Sequence, residues 1–331
     1  MTSHVKPPTS VDVARAAGVS QATVSYVLND SPGARVGDET RERVKEAAAR
    51  LGYVPHASAR ALRTGHSGLV LLPLSLARTG RLAQDLLDEM GDELRERGYT
   101  LIQYGERRLK GAAAARSWAE LRPVAVLVEV DRLSKAAVDL LKASGVKAVI
   151  GFGAERPSPL VPVSLYDQEA IGACAAEHLV SRGRTRLAAV VPREQGIDKM
   201  GAGRWRGVCR VAPGAERIEL TFSEDEAARF AARSDLPDGV FAYNDEYAML
   251  VVSALRDAGV RVPEDVAVVG ADDLVIAGLM RPRLTSVHVD PTTTPGELIT
   301  MIDEIIRGER AAGPWAVLSR YEPRLVVRET T

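Results

Sequence analysis

Between Val11 and Asn29 two short helical patterns meet at Ala17-Gly18-Val19-Ser20, and no other stretch constrains the fold of this chain so tightly. Thr9 or Ser10 is placed to cap the first helix, and Gly18 to take a positive φ at its end. The Ser20 hydroxyl is placed to accept from the backbone N–H groups that open the second helix. Val13, Ala14, Ala17, Val24, Val27 and Leu28 then share one apolar face, as two helices joined by a tight turn require. Gln21, Ala22, Ser25, Tyr26 and Asn29 are left pointing outward. A helix held this way fits the DNA major groove, whose base edges carry a readable donor and acceptor pattern.

The rest of the chain is organised differently. Its 331 residues suit a small domain followed by a larger two-lobed one. Beyond residue 66 short apolar runs alternate with helical stretches, which reads as repeated βα units around parallel sheets. Strands are expected near 69–74, 99–104, 125–130 and 147–152 in one lobe, with helices near 82–97, 111–121 and 133–143. In the other lobe strands are expected near 187–191, 217–221, 240–243 and 266–270, with helices near 168–181, 224–233 and 246–258. Chain crossings near 162–166 and 289 would leave a cleft beyond the carboxyl ends of the strands, where open parallel sheets bind ligands.

The net charge of −1 conceals an asymmetry. Residues 1–65 hold nine Lys and Arg against six Asp and Glu, a balance of +3, so the remainder carries −4. That division fits a head that neutralises phosphates on an acidic body. No stretch is apolar enough to span a bilayer, and the N-terminus lacks the apolar region of a secretory signal, so a cytoplasmic protein without a membrane partner is expected. Cys174 and Cys209 have no partners at metal-ligand spacing and read as small buried hydrophobes.

Asp12-Val13-Ala14, Ala17-Gly18-Val19-Ser20 and Thr23-Val24-Ser25 resemble the signature of the lactose-repressor (LacI) family of bacterial regulators. Thr40-Arg41-Glu42-Arg43-Val44, Leu51-Gly52-Tyr53-Val54-Pro55 and Ala59-Arg60-Ala61-Leu62-Arg63-Thr64-Gly65 resemble its third helix, its exit and its hinge. The resemblance implies an α/β protein with a helix-turn-helix head and a doubly wound, periplasmic-binding-protein-like effector domain. The head would span 1–54, the hinge 55–66 and the effector and dimerisation domain 67–331. Lobe 1 would take about 67–163 and 290–318, and lobe 2 about 164–289 and 319–331.

Carried over from the family, the main base readers are Gln21, Ala22 and Tyr26. Gln pairs with adenine N6 and N7, and Ala packs on a thymine methyl. Tyr26 stands where many relatives carry Arg, so it either reads a different step or packs over the helix against a phosphate. Ser10, Ser20, Thr23, Ser25 and Asn29 would supply positioning contacts to the backbone. Leu62 matches the family leucine that wedges into the minor groove, with Ala59 one turn earlier and His56 where relatives often have Asn. Gly37 stands where Ser usually caps the third helix.

Phe241-Ala242-Tyr243-Asn244-Asp245-Glu246 and the run from Ala258 to Asp273 resemble the core of the family's second lobe. On that match Arg204, Asn244 and Asp272 fall where relatives hold the polar atoms of a small effector. The first lobe departs from the pattern at 75–82, Phe152 replaces an acidic residue, and Val289 stands where some relatives place Gln. Tyr166 and Phe222 take positions that line the cleft in relatives, although Phe152 and Phe222 equally suit core packing. A pocket of this make-up is more aromatic and less acidic than a simple sugar site. It points to a sugar, a modified sugar or a related metabolite.

A metabolic enzyme or an exported solute-binding protein on the same architecture is the rival reading, since fold alone does not decide function. Gly151-Phe152-Gly153 is a fragment of a dinucleotide fingerprint that runs into Ala154-Glu155-Arg156-Pro157, a poor helix start. The chain has no phosphate loop and no Gly-x-Ser-x-Gly elbow, and its five His fall outside metal spacing, so no cofactor or metal is expected. The sequence therefore predicts a non-enzymatic, homodimeric repressor that binds a near-palindromic double-stranded operator and answers to a small effector. After Gly313 no leucine heptad appears, so no tetramerising tail is expected.

Overall fold

The computed structural model describes residues 8–28, 36–54, 67–74, 81–105, 109–194 and 197–331. The chain divides into two compact units, Met1–Ser67 and Gly68–Thr331.

In the first unit α1 (Ser10–Ala17) is opened by Thr9, whose hydroxyl accepts from the Asp12 amide while the Asp12 carboxylate accepts from the Thr9 amide. This reciprocal cap satisfies two of the donors that a helix start leaves unpaired. Gly18 ends the helix at φ 67°, a left-handed conformation that side chains other than glycine adopt at a cost. α2 (Gln21–Leu28) follows, with the Ser20 hydroxyl accepting from the Thr23 amide at 3.1 Å. Gly37 precedes α3 (Asp38–Leu51) without a side-chain cap, so Asp38 and Glu39 in the first turn complement the helix dipole instead. Val13, Ala14, Ala17, Val24, Val27, Val44, Ala47 and Ala48 are buried together as the core of this unit.

The second unit is built on eleven strands. β1 (Leu69–Leu72), β2 (Thr100–Gln103), β3 (Ala125–Glu129), β4 (Ala148–Ala154) and β5 (Val163–Tyr166) make one half. β6 (Leu187–Pro192), β7 (Glu216–Leu220), β8 (Gly239–Phe241), β9 (Ala267–Ala271) and β10 (Thr285–Pro291) make the other. β11 (Val317–Val326) lies between β5 and β10, so hydrogen bonding is continuous in the order β2-β1-β3-β4-β5-β11-β10-β9-β8-β6-β7. Every pairing is parallel except β10 with β11. The segments expected only as chain crossings are thus strands in their own right, and they join the two halves through β11.

Helices cover both faces of each half. α4 (Arg81–Glu96) and α12 (Pro295–Arg307) bury Met90, Leu94, Leu298, Ile299 and Ile302 against β1, β3 and β4. On the opposite face α5 (Gly111–Ala119) and α6 (Lys135–Ala143) contribute Trp118, Val138 and Leu141. In the second half α9 (Glu224–Ala231) and α10 (Asp245–Asp257) pack on one face. α7 (Gln168–Ser181) and α8 (Asp198–Val211) pack on the other, and α11 (Val275–Leu279) follows β9.

The contact between α7 and α8 sets up the site. A Cβ on Gly172 would overlap the Arg204 carbonyl, and one on Gly207 would overlap the Glu169 carbonyl, so the two backbones touch directly. The sequence pattern puts Cys209 on a helix without bounding it, because Gly201, Gly203 and Gly207 depress the propensity of α8. Gly207 and Gly172 let α8 lie low on α7, and Gly201 lets it lie against Pro192 at the end of β6, so that Arg204 reaches the strand ends.

Candidate functional site

On the head, the outward face of α2 carries exposed Gln21, Ala22 and Tyr26, with Thr23 and Ser25 half-buried. Tyr26 is 46% exposed. The Gln21 amide nitrogen donates to the Ser10 hydroxyl at 2.8 Å, and the Ser20 and Thr23 hydroxyls lie 2.9 Å apart. Ser10 therefore holds the Gln21 side chain in one orientation, with its carbonyl oxygen and second N–H unengaged among the described residues. Those are the two atoms that adenine recognition uses. Asn29, His56, Ala59 and Leu62 lie outside the described residues.

In the second unit Arg204 is the hub of the predicted pocket. Its guanidinium is 3% exposed and lies 4.7 Å above the Tyr243 ring. It donates to Gln168 Oε1 at 2.8 Å, to the Tyr243 carbonyl oxygen, and to Asp272 Oδ1 at 3.5 Å. Burial works against its charge, but Asp272, Tyr243 and Tyr166 outweigh burial and its pKa is raised. Asp272 sits just past β9 at φ 93° and Asp273 at φ 49°, so two adjacent residues hold a conformation that side chains rarely adopt. Strain of this kind persists only where neighbours over-determine it. Here the Asp272 amide donates to the Val287 carbonyl, Asp273 pairs with Arg328 at 2.6 Å, and the Asp273 amide donates to Ser286 Oγ.

The aromatic residues divide. Tyr166 packs on Tyr321 with centroids 4.9 Å apart, and burial, its first cause, raises the Tyr166 phenol. Burial likewise pushes Tyr243 up to about 12. Phe222 is 44% exposed and meets the Tyr247 ring edge-on at 5.4 Å. Phe152 packs on the first-half core beside Ile150. Asn244 is 6% exposed and caps α10, its Oδ1 accepting from the Tyr247 amide, so only its amide nitrogen is turned to other use. Arg204, Asp272 and Tyr166 are thus brought into one electrostatic group, whereas Phe152 stands on the other half.

The structure adds residues that the sequence reading passed over. Gln168, Tyr243 and Tyr321 complete the group around Arg204. Asp245, fully buried, accepts from Ser286 Oγ and the Leu274 amide at 2.6 Å each. Burial pushes its carboxyl up to about 7, with Asp272 and Asp273 adding to the effect. α8 also reaches the first half: Lys199 pairs with Asp131 beyond β3, and Arg206 with Glu155 beyond β4 at 2.9 Å. Tyr243 and Asp245 flank Asn244 in a motif already recognised, but nothing local marks Tyr321 or the Lys199–Asp131 pair. Among the described residues no helix is long and apolar enough to cross a membrane, and no cluster of His, Cys, Asp and Glu could hold a metal.

Comparison with known proteins bears on both units. The model for bacterial regulatory proteins of the lacI family matches residues 10–56, and that for a periplasmic binding protein-like domain matches residues 176–331. The HTH-type transcriptional regulator CelR of Thermobifida fusca is 32% identical over 348 residues, covering 98% of each chain. The HTH-type transcriptional repressor PurR of Vibrio cholerae is 30% identical over 295 residues, covering 84% of this chain and 85% of that one. A solved CelR–cellobiose complex aligns over 98% of this chain and 100% of its own, with TM-score 0.62 and 28% identity. A lac repressor bound to ONPG shares the fold, with TM-score 0.76 at 22% identity. With a capped helix-turn-helix in one unit, a doubly wound sheet in the other and relatives that match across both, the chain belongs to the lacI family of bacterial regulatory proteins and is a transcriptional regulator.

Proposed function

We propose that the chain is a cytoplasmic homodimeric repressor that binds a near-palindromic operator and is controlled by a small polyhydroxylated effector. The observation that carries the DNA half is the Ser10-held Gln21 on the exposed face of α2, which offers one acceptor and one donor to a base edge. Ser20, Thr23, Ser25 and Asn29 serve phosphates, Ala22 and Tyr26 share base reading, and His56, Ala59 and Leu62 act from the hinge.

The effector half rests on Arg204, Asp272 and the Asn244 amide, with Tyr166 and Phe222 as aromatic surface and Phe152 as the contribution of lobe 1. A guanidinium, a carboxylate and an amide beside aromatic rings match the alternating hydroxyls and C–H faces of a carbohydrate. The cellobiose held by a CelR structure supports the same class. Dimerisation is supported by α11, which leaves Val275 82% and Leu279 66% exposed. Binding of a palindromic duplex selected from the genome, compared with its scrambled version at matched ionic strength, tests the reading. We expect tight binding to the first and affinity falling steeply with salt. Equal affinity for both duplexes would refute sequence reading.

A further inference from the structure

Lys199, Gly203 and Arg206 are spaced four and three residues apart on α8, which sets them on one face of the helix. That face meets the first half. The Lys199 ammonium donates to the Asp131 carboxylate, two residues past β3, and Arg206 Nη2 donates to both oxygens of Glu155, directly past β4, at 2.9 and 3.2 Å. A Cβ on Gly203 would stand 3.0 Å from Glu155 Oε1, so the carboxylate lies against bare helix backbone. Both acceptors therefore come from the carboxyl ends of first-half strands, where parallel sheets hold their ligands, and both donors from the helix that carries Arg204. Arg206 is oriented by its own half. Its Nε donates to Glu169 of α7 at 2.7 Å, which leaves the Nη2 edge for Glu155. A planar fork fixed at one edge loses less freedom on taking a second carboxylate than a lysine would.

All four side chains are more than a third exposed, so these are solvated pairs that salt screens. Each shifts an equilibrium by about fivefold at most. Bonds of that size cannot lock two bodies together, but they decide between arrangements of similar free energy. Hydrogen bonding joins the two halves through β11, so the seam at α8 acts beside that connection. We infer that Asp131 and Glu155 are positioning residues for the effector site: by holding Lys199 and Arg206 they draw the first half onto α8, so that affinity for an uncharged effector falls as ionic strength rises. A ligand seated on Arg204 meets the ends of β3 and β4 only while this seam is shut, and its apparent affinity scales with the fraction of molecules in which it is shut. The affinity consequence rests on the effector reading above, whereas the seam itself does not. Both cations keep their charge within it: the bond to Asp131 raises the Lys199 pKa, and the bond to Glu169 raises that of Arg206. Glu129, at the end of β3, adds a further negative charge on the first-half side.

Charge reversal on the full chain tests this. Asp131→Lys sets a cation against Lys199, Lys199→Asp sets a carboxylate against Asp131 and Glu129, and the two together restore an attractive pair. Spin labels on Lys142→Cys in the first half and Arg229→Cys in the second, in a chain whose Cys174 and Cys209 are replaced by Ala, read the separation of the halves. The labelled chain is diluted into unlabelled chain, so that one protomer of a dimer carries the pair. We expect each single reversal to lengthen the distance and the swap to return it. Raising salt from about 50 mM to about 500 mM should lengthen it in the parent and leave the variant with both Asp131→Asn and Glu155→Gln unmoved. Calorimetry with cellobiose, lactose and ribose, all uncharged, reads the second consequence. For whichever binds the parent, each reversal should weaken binding about fivefold or more, and the swap should return to within about twofold. Glu155→Gln, which only removes a charge, gives a second reading in the same direction. Thermal melting reports folding, and the reversals should melt close to the parent because the pairs are exposed. Distances that stay put in both reversals, or a swap as open as either of them, refute the seam whatever the ligand. Distances that lengthen while sugar affinity holds refute the positioning role and leave the effector reading standing. If no sugar binds the parent, the effector reading fails and the affinity consequence with it, while the distances still decide the seam.

Discussion

Removal of the Arg204 charge probes the centre of the cleft. Arg204→Met keeps the length and apolar stem of the side chain but leaves Asp272, whose side chain is 14% exposed, without its cation. It also strips a donor from Gln168 Oε1 and from the Tyr243 carbonyl. Removing one partner of a buried ion pair costs about 3–5 kcal/mol. The 3.5 Å Arg204–Asp272 separation is long for a charge-assisted bond, which argues for the lower part of that range. Loss of the Gln168 and Tyr243 bonds raises it again, by about 1–3 kcal/mol for each acceptor left dry. With about 3 kcal/mol for the pair and two such acceptors at the low end, we expect Arg204→Met to destabilise the effector unit by about 5 kcal/mol. Asp272→Asn in the same chain removes the stranded charge, and the double variant should recover about 1–3 kcal/mol relative to the sum of the single ones. Urea unfolding at constant m-value measures all three. A cost below about 1 kcal/mol for Arg204→Met, or additivity within about 0.5 kcal/mol, would show that Asp272 is not held by Arg204.

Asp245 gives a prediction in pH. Its folded pKa of about 7 lies above the unfolded carboxylate value, so the folded state binds the proton more tightly and stability falls as pH rises from about 4 to about 7. The contribution is on the order of 2–4 kcal/mol, and Asp245→Asn, which can still accept from the Leu274 amide and donate to Ser286, should flatten that slope in thermal melts. Identical pH profiles for parent and variant would dismiss Asp245 as its source. For the exposed apolar face of α11, Leu279→Asp should shift the chain toward monomer in sedimentation while leaving the fold of each unit intact. Unchanged self-association would move the dimer contact elsewhere.

What the sequence revealed follows the distance over which each feature is encoded. The head was legible because its determinants are local: Thr9 with Asp12, Gly18 at the helix end, and Ser20 with Thr23 all act within one turn. Even there the choice between Thr9 and Ser10 as the cap needed coordinates, since Ser10 instead serves Gln21. Arg204 and Asp272, 68 positions apart, could be paired beforehand only through resemblance to a family, because no periodicity connects them. β11 was illegible for a related reason. Its ten residues carry strand character, but only the assembled sheet decides that they run between β5 and β10 and bring Tyr321 onto Tyr166.

Glu129 shows the limit most clearly. At the end of an apolar run it reads as an ordinary solvated strand terminus. Only in the assembled sheet does it become a half-buried carboxylate beside Phe152 of β4, raised by burial. Lys199 and Asp131 meet nearby because α8 packs closely, an approach that rests on the glycines that lower its helical propensity and blur its bounds in the sequence. Local propensity and tertiary packing conflict in this one helix, and a sequence departs from its local rules where function or close approach demands it. This helix carries Arg204 to Asp272 and Lys199 and Arg206 to carboxylates of the opposite half. A ligand that engages Arg204, as proposed, would act on a helix that pairs with the first half, beside β11, which joins the two halves. A difference in how tightly it binds two arrangements of those halves then has two routes to the first half, α8 and β11.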